Sequence, residues 1–230
     1  MPIDLIIFDC DGVLVDSEVI SCRMHAEALC EIGYTITADQ VFDRFLGRSE
    51  AESRREIETE LGRKLPDDFA LKMKTNEIEE LARAVEGVPH VATALDQIVR
   101  NICVASSGTP EKIRIGLTRT GLFDRFAPNI FSASQVKRGK PEPDLFLFAA
   151  EQMGVTPERC IVIEDSIPGI TGANAAGMTV LGFRGGAHYR EHPASAPSAG
   201  DLLRAGALTT FGDMRQLPAM IDKIASGKAP

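Results

Sequence analysis

Leu5-Ile6-Ile7-Phe8 is a continuous apolar run that stops abruptly at Asp9-Cys10-Asp11-Gly12, and this stretch most constrains the fold. Consecutive apolar residues are expected of a strand covered on both faces, as in a parallel sheet between helices. Side chains at i and i+2 of an extended chain point the same way, so Asp9 and Asp11 meet at the mouth of the strand. Two carboxylates held together repel, and either one takes a proton or a cation sits beside them. A hard cation with oxygen ligands, such as Mg²⁺, suits the pair. Gly12 then permits a turn that a residue with a side chain resists. The same four residues also fit an ordinary strand-to-turn exit, because Asp-Gly is a common turn dipeptide, so the remaining segments must decide.

A chain of 230 residues with 44% apolar content can bury a normal core. Its net charge of −8, with no basic run, counts against nucleic acid or an anionic membrane as the main partner. An acidic protein that handles anions needs a locally positive pocket. Cys10, Cys22, Cys30, Cys103 and Cys160 are odd in number, show no Cys-x-x-Cys spacing and fall mostly in apolar segments. They read as buried free thiols, which fits a reducing cytoplasm. Met1-Pro2-Ile3-Asp4 leads into the first strand without a basic leader, and no apolar run approaches membrane-spanning length, so a cytoplasmic protein is expected.

From Ser17 to about Glu86 the pattern changes to helical periodicity. Val19, Cys22, Ala26 and Leu29 recur at helix spacing before Gly33, a natural stop. Thr37-Ala38-Asp39-Gln40 and Ser49-Glu50-Ala51-Glu52 read as capping boxes, and Asp67-Asp68-Phe69 opens a last helix towards Val85. Residues 17–86 therefore form a block of about four helices, a lid inserted into a core made of residues 1–16 and 87–230.

That core resumes with a helix over 90–99 and the strand Ile102-Cys103-Val104-Ala105, which ends in Ser106-Ser107-Gly108. Thr109-Pro110-Glu111 is an N-cap with proline at the first helical position, so the serines lie between a strand end and a helix N-terminus. Small hydroxyls and free N–H groups there suit a phosphate oxygen, although a plain serine-rich cap fits too. Asn129-Ile130-Phe131 is a third strand. After it, Lys140 is held between Gly139 and Pro141 ahead of a helix that begins Pro-Glu-Pro-Asp. Cys160-Ile161-Val162-Ile163 ends in Glu164-Asp165-Ser166, and a Gly- and Ala-rich helix over 167–178 leads to Thr179-Val180-Leu181-Gly182-Phe183. Residues 184–197 read as a mobile loop belonging to no element. A sixth strand over 207–211 and a helix over 213–224 close the chain.

Strands alternating with helices imply a doubly wound parallel α/β sheet, whose ligands bind at the carboxyl ends of the strands. Three runs here end in polar residues: Asp9 and Asp11, Ser106 and Ser107, Glu164 and Asp165. With the rigid Lys140 they make a phosphate site with a divalent metal.

The ordered motifs Asp9-x-Asp11-Gly12-Val13-x-x-Asp16-Ser17-Glu18, Ser106, Lys140-Pro141-x-Pro143 and Glu164-Asp165-Ser166-x-x-Gly169 span nearly the whole chain. In them the chain resembles a haloacid dehalogenase (HAD) superfamily hydrolase with a helical cap, in the β-phosphoglucomutase-like branch. The resemblance implies that Asp9 is the nucleophile, forming an aspartyl-phosphate, and that Asp11 alternates as general acid and base. It also implies Mg²⁺ on the Asp9 carboxylate, the Asp11 carbonyl and Asp165, with Glu164 as an additional or outer ligand. Ser106, Ser107 and Lys140 would hold the phosphoryl oxygens.

β-Phosphoglucomutases carry a cap histidine three residues after the Glu18-like position and a Gly-Val-Ser-Arg loop; here those places hold Ser21 and Gly47-Arg48-Ser49-Glu50. The run from Phe8 to Ile20 is similar to the 6-phosphogluconate and sugar-phosphate phosphatases. A small phosphorylated metabolite is then the partner, handled by a monomer or weak homodimer, with Arg48 and Ser21 as specificity residues and Arg54 and Arg55 as further candidates for a second anionic group. A phosphomutase is the alternative enzyme. A phospho-receiver domain is the non-enzyme alternative, and the helical insert after the first strand counts against it.

Overall fold

The structure, a computed structural model, describes residues 2–45 and 50–228. Its sheet is parallel throughout, in the order β3-β2-β1-β4-β5-β6. The strands are β1 (Leu5–Phe8), β2 (Asn101–Ser106), β3 (Ile130–Ser132), β4 (Cys160–Glu164), β5 (Thr179–Phe183) and β6 (Thr209–Phe211). Strand order reverses between β1 and β4, so the crevice between their carboxyl ends is where such a sheet binds ligands.

Why β1 is continuously apolar follows from its place. It pairs with β2 on one side and β4 on the other, and all four residues are fully buried. Ile6 and Phe8 face one layer, made by α5 (Val91–Gln97), α6 (Pro110–Arg119) and α12 (Leu217–Ala225). Leu5 and Ile7 face the other, made by α8 (Asp144–Gln152), α9 (Ile167–Ala175) and α11 (Ala199–Ala205). The period-two alternation feeds both cores at once. Phe8 aligns with Val104 and with Ile163, so β4 runs one residue and β2 two residues beyond the end of β1 before leaving the sheet.

Between β1 and α5 lie α1 (Glu18–Glu31), α2 (Ala38–Phe45), α3 (Glu50–Leu61) and α4 (Phe69–Ala84), the helical block expected from periodicity. The Thr37 box forms in full: Gln40 N donates to Thr37 Oγ1 at 3.2 Å, and Thr37 N to Gln40 Oε1 at 3.0 Å. The second box begins at Ser49, outside the described residues. The two chain crossings run side by side, with Asp16 N donating to Glu86 O at 2.9 Å and Val88 N to Leu14 O at 3.0 Å.

The segment expected to be a mobile loop is ordered in part. Ala187–Glu191 form α10, and Ala187, His188 and Tyr189 are buried. No periodicity marked it, because five residues are too few and their burial comes from tertiary contacts. The short α7 (Phe123–Phe126) completes the elements, anchored by Phe126 edge-on to Phe8. All five cysteines are free; four are buried and Cys30 is exposed. Among the described residues, no helix is long and apolar enough to cross a membrane.

Candidate active site

Asp9 and Asp11 leave β1 into a tight turn closed by Leu14 N and Val15 N on the Cys10 carbonyl. Gly12 sits at φ +76°, and a Cβ there would meet Asp165 Oδ2 at 2.1 Å. The first and fourth strand exits can therefore approach only over a glycine. The resulting cavity of about 760 Å³ opens between the sheet's carboxyl edge and the helical block, and its walls include Asp9, Asp11, Ser107, Lys140, Glu164 and Asp165. The structure thus brings together the groups that the motifs singled out.

Lys140 Nζ donates to Asp9 Oδ1 at 2.5 Å and to Glu164 Oε1 at 2.7 Å, with its ammonium 5.1 Å from the Phe146 ring centre. Burial alone would lower its pKa, but the two carboxylates outweigh that and raise it, so the side chain is a fixed cation. Glu164 Oε2 accepts from Asp165 N, Ser166 N and Ser166 Oγ at 2.8, 2.9 and 3.0 Å. Both Glu164 oxygens are thus engaged by protein donors, and a Cβ on Gly169 of α9 would overlap them. The geometry makes Glu164 a brace for Lys140 and the Asp165 turn.

Asp11 is held differently. Its Oδ1 accepts from Ser17 Oγ at 2.5 Å, and its Oδ2 accepts from Ser106 Oγ at 3.4 Å. Ser106 is fully buried and itself accepts from Gly108 N at 3.0 Å, while the neighbouring Ser107 is exposed to the cavity.

The sequence reading missed Lys112, in the first turn of α6. Its Nζ lies 3.4 Å from Asp11 Oδ1, 3.0 Å from Glu77 Oε1 of α4 and 3.4 Å from Ser21 Oγ of α1. A signal existed: a cation in the first turn opposes the helix dipole and needs another reason to be there. His188 was also missed; its Nε2 lies 3.2 Å from Asp165 Oδ2.

Of the expected specificity residues, Ser21 lines the cavity and donates to Glu77 at 2.5 Å. Arg48 lies outside the described residues. Arg54 is held by Glu58 at 3.0 Å and Arg55 is exposed, and neither is among the residues that line the cavity.

Asp9, Glu164 and Asp165 cluster about one ammonium, Lys140, and the imbalance shows in the protonation of Asp9 and Asp165. Burial, opposed by Lys140 and reinforced by the other acids, pushes Asp9 up to about 8. Burial and the Glu164 and Asp9 charges drive Asp165 well above the usual carboxylate range. Buried acids that cannot all ionise are short of positive charge, and their all-oxygen donor set fits a hard divalent cation. Among the described residues, no three or more His, Cys, Asp or Glu side chains are grouped so as to hold a metal ion by themselves.

Against known proteins, the haloacid dehalogenase-like hydrolase family profile matches residues 3–177. The chain is 32% identical over 219 residues to the 6-phosphogluconate phosphatase of Escherichia coli (strain K12), covering 95% of this chain and 94% of that one. A haloacid dehalogenase-like protein from Agrobacterium tumefaciens str. C58 superposes with a TM-score of 0.85 at 40% identity, over 97% of this chain and 99% of that one. A HAD family hydrolase from Deinococcus radiodurans R1, solved with bound phosphate and sodium, gives 0.79 at 28% identity, over 100% and 99%. The chain belongs to the haloacid dehalogenase-like hydrolase family, as one of its phosphoric monoester hydrolases.

Proposed function

We propose that the chain is a Mg²⁺-dependent phosphatase of small sugar phosphates or sugar-acid phosphates, of which 6-phosphogluconate is one. The observation that carries the proposal is the meeting of Asp9, Asp11, Ser106 and Lys140 at one mouth of the sheet. The substrate class is supported by the 6-phosphogluconate phosphatase likeness.

An Asp9 carboxylate oxygen attacks phosphorus in line, forming an acyl phosphate as the ester P–O bond breaks. Asp11 gives its proton to the leaving oxygen, then takes one from the water that cleaves the acyl phosphate and releases inorganic phosphate. Lys140 and Ser106 hold the equatorial oxygens. The Asp9 and Asp165 carboxylates and the Asp11 carbonyl would hold Mg²⁺, with Glu164 bracing Lys140 and Asp165 from outside. Bound there, the ion would supply charge neutralisation for the phosphoryl group.

Phosphate release from p-nitrophenyl phosphate and a panel of sugar and sugar-acid phosphates, with Mg²⁺ or EDTA, tests this. Asp9→Asn keeps the shape and removes the nucleophile, so kcat should fall by roughly 10⁴-fold or more. Retention of even about a tenth of the wild-type rate would put the nucleophile elsewhere.

A further inference from the structure

Helix α10 touches both the acids at the mouth of the sheet and the helical block. His188, 4% exposed, places Nε2 3.2 Å from Asp165 Oδ2, and the hydroxyl of its neighbour Tyr189 donates to the Asp165 carbonyl at 2.6 Å. Ala187 N donates to Asp16 Oδ1 at 2.7 Å, tying the helix to the first crossing.

Two glycines clear the space for this approach. A Cβ on Gly12 would meet His188 Cε1 at 2.8 Å, and one on Gly186 would meet the same atom at 2.9 Å and the Gly12 carbonyl at 2.6 Å. From the other side, Phe42 of α2 stacks on His188 with ring centres 5.9 Å apart. The imidazole is thus enclosed by Phe42, Tyr189 and the two glycine backbones, with one nitrogen aimed at Asp165.

We infer that His188 is a positioning residue for Asp165: its imidazole fixes the carboxylate that would hold Mg²⁺, and Phe42 keeps the contact dry. This rests on the Mg²⁺ reading above. The ring reaches the carboxylate through one nitrogen at 3.2 Å, and its other edges are packed against Phe42 and the glycine backbones, so it has little room to turn away. Groups that hold metal-binding carboxylates in place commonly govern about 10- to 100-fold of metal affinity.

Mg²⁺ alone, titrated into the protein and read as a rise in melting temperature, tests the inference without catalysis. His188→Phe keeps a ring against Phe42 and Tyr189 but removes the nitrogen, and it should raise the Mg²⁺ midpoint about 10- to 100-fold. His188→Gln, which restores an N–H, should recover part of that loss. His192→Ala removes a ring stacked on Phe42 at 4.9 Å and a contact with Asp39 at 2.8 Å without touching Asp165, and should leave the midpoint unchanged. An unshifted midpoint in folded His188→Phe, or an equal rise in His192→Ala, overturns the inference. Should His188→Phe fail to melt cooperatively, the wild-type imidazole resonances decide: those of His188 must shift as Mg²⁺ saturates, and their constancy overturns it. A wild-type protein whose melting ignores Mg²⁺ removes the metal reading itself, and the inference with it.

Discussion

Asp9 and Asp11 stand two residues apart on one strand exit, yet their surroundings push them in opposite directions. Burial raises Asp9 to about 8 in spite of Lys140, whereas for Asp11 the same penalty is outweighed by Lys112 and the Ser17 hydroxyl, and the pKa falls. Without a metal, Asp9, the proposed nucleophile, is thus the more protonated of the two and Asp11, the proposed general acid, the more ionised, the reverse of what the proposed hydrolysis requires. A divalent cation lowers Asp9, and a phosphoryl dianion beside Asp11 raises it, so ligands would set the catalytic protonation states. A carboxyl whose folded pKa lies above its unfolded value stabilises the fold at low pH and loses that contribution as pH rises through the folded value. For Asp9 the window runs from 3.8 to about 8, and Asp165 and Glu18, the latter raised to about 7 mainly by burial, act in the same sense. Asp11, lowered from 3.8, adds the opposite slope only below that window. Melting temperature in EDTA should therefore fall between pH 5 and pH 8.5, and Mg²⁺ should restore most of the loss at the alkaline end. A flat profile in EDTA would mean that the acids share their charge deficit in another way.

At the scale of elements, strands were legible in the sequence because a parallel strand covered on both faces leaves a continuous apolar run. Thr179–Phe183 lies where it was expected, and the third and sixth strands differ only at their ends. The polar residues that end β1, β2 and β4 were legible too, since strand ends at the switch point are fixed by topology. Lys112 and His188 were not, because what makes them matter is distant in sequence: Glu77 for one, Asp165 and Phe42 for the other. The β1 turn shows how much rests on a single backbone position. Gly12→Ala must place a side chain at φ +76° and drive a methyl into Asp165 Oδ2. Urea denaturation should show a loss of roughly 1–3 kcal/mol for the left-handed position alone, before any cost of moving Asp165. Mg²⁺ should also raise the variant's melting temperature less than the wild type's. Wild-type values for both would show that the turn relaxes without cost.

On the scale of the whole molecule, the helical block meets the core through its two crossings, through the stacking of Phe42 on His188 and His192 of α10, and through Lys112, which joins α6 to Glu77 on α4 and Ser21 on α1. We expect the crossings to act as hinges, since the two backbone hydrogen bonds that join them, Asp16 N to Glu86 O and Val88 N to Leu14 O, can persist when the block swings away. Opening would break the Lys112–Glu77 pair and keep the Lys112–Asp11 pair, so closure and the placement of Asp11 would be tied to the same lysine. A substrate with a sugar portion can use remote contacts with the block to drive closure, whereas p-nitrophenyl phosphate has few such contacts and a leaving group that needs little protonation. Glu77→Gln keeps the shape and removes the charge on the block's side of the pair. It should lower kcat/KM for the best sugar phosphate by about tenfold or more while changing that for p-nitrophenyl phosphate by less than about threefold. The two ratios, measured in one preparation, separate the alternatives: an equal fall on both substrates would place Glu77 in support of the core site, and an unchanged sugar-phosphate value would mean that closure does not run through Lys112.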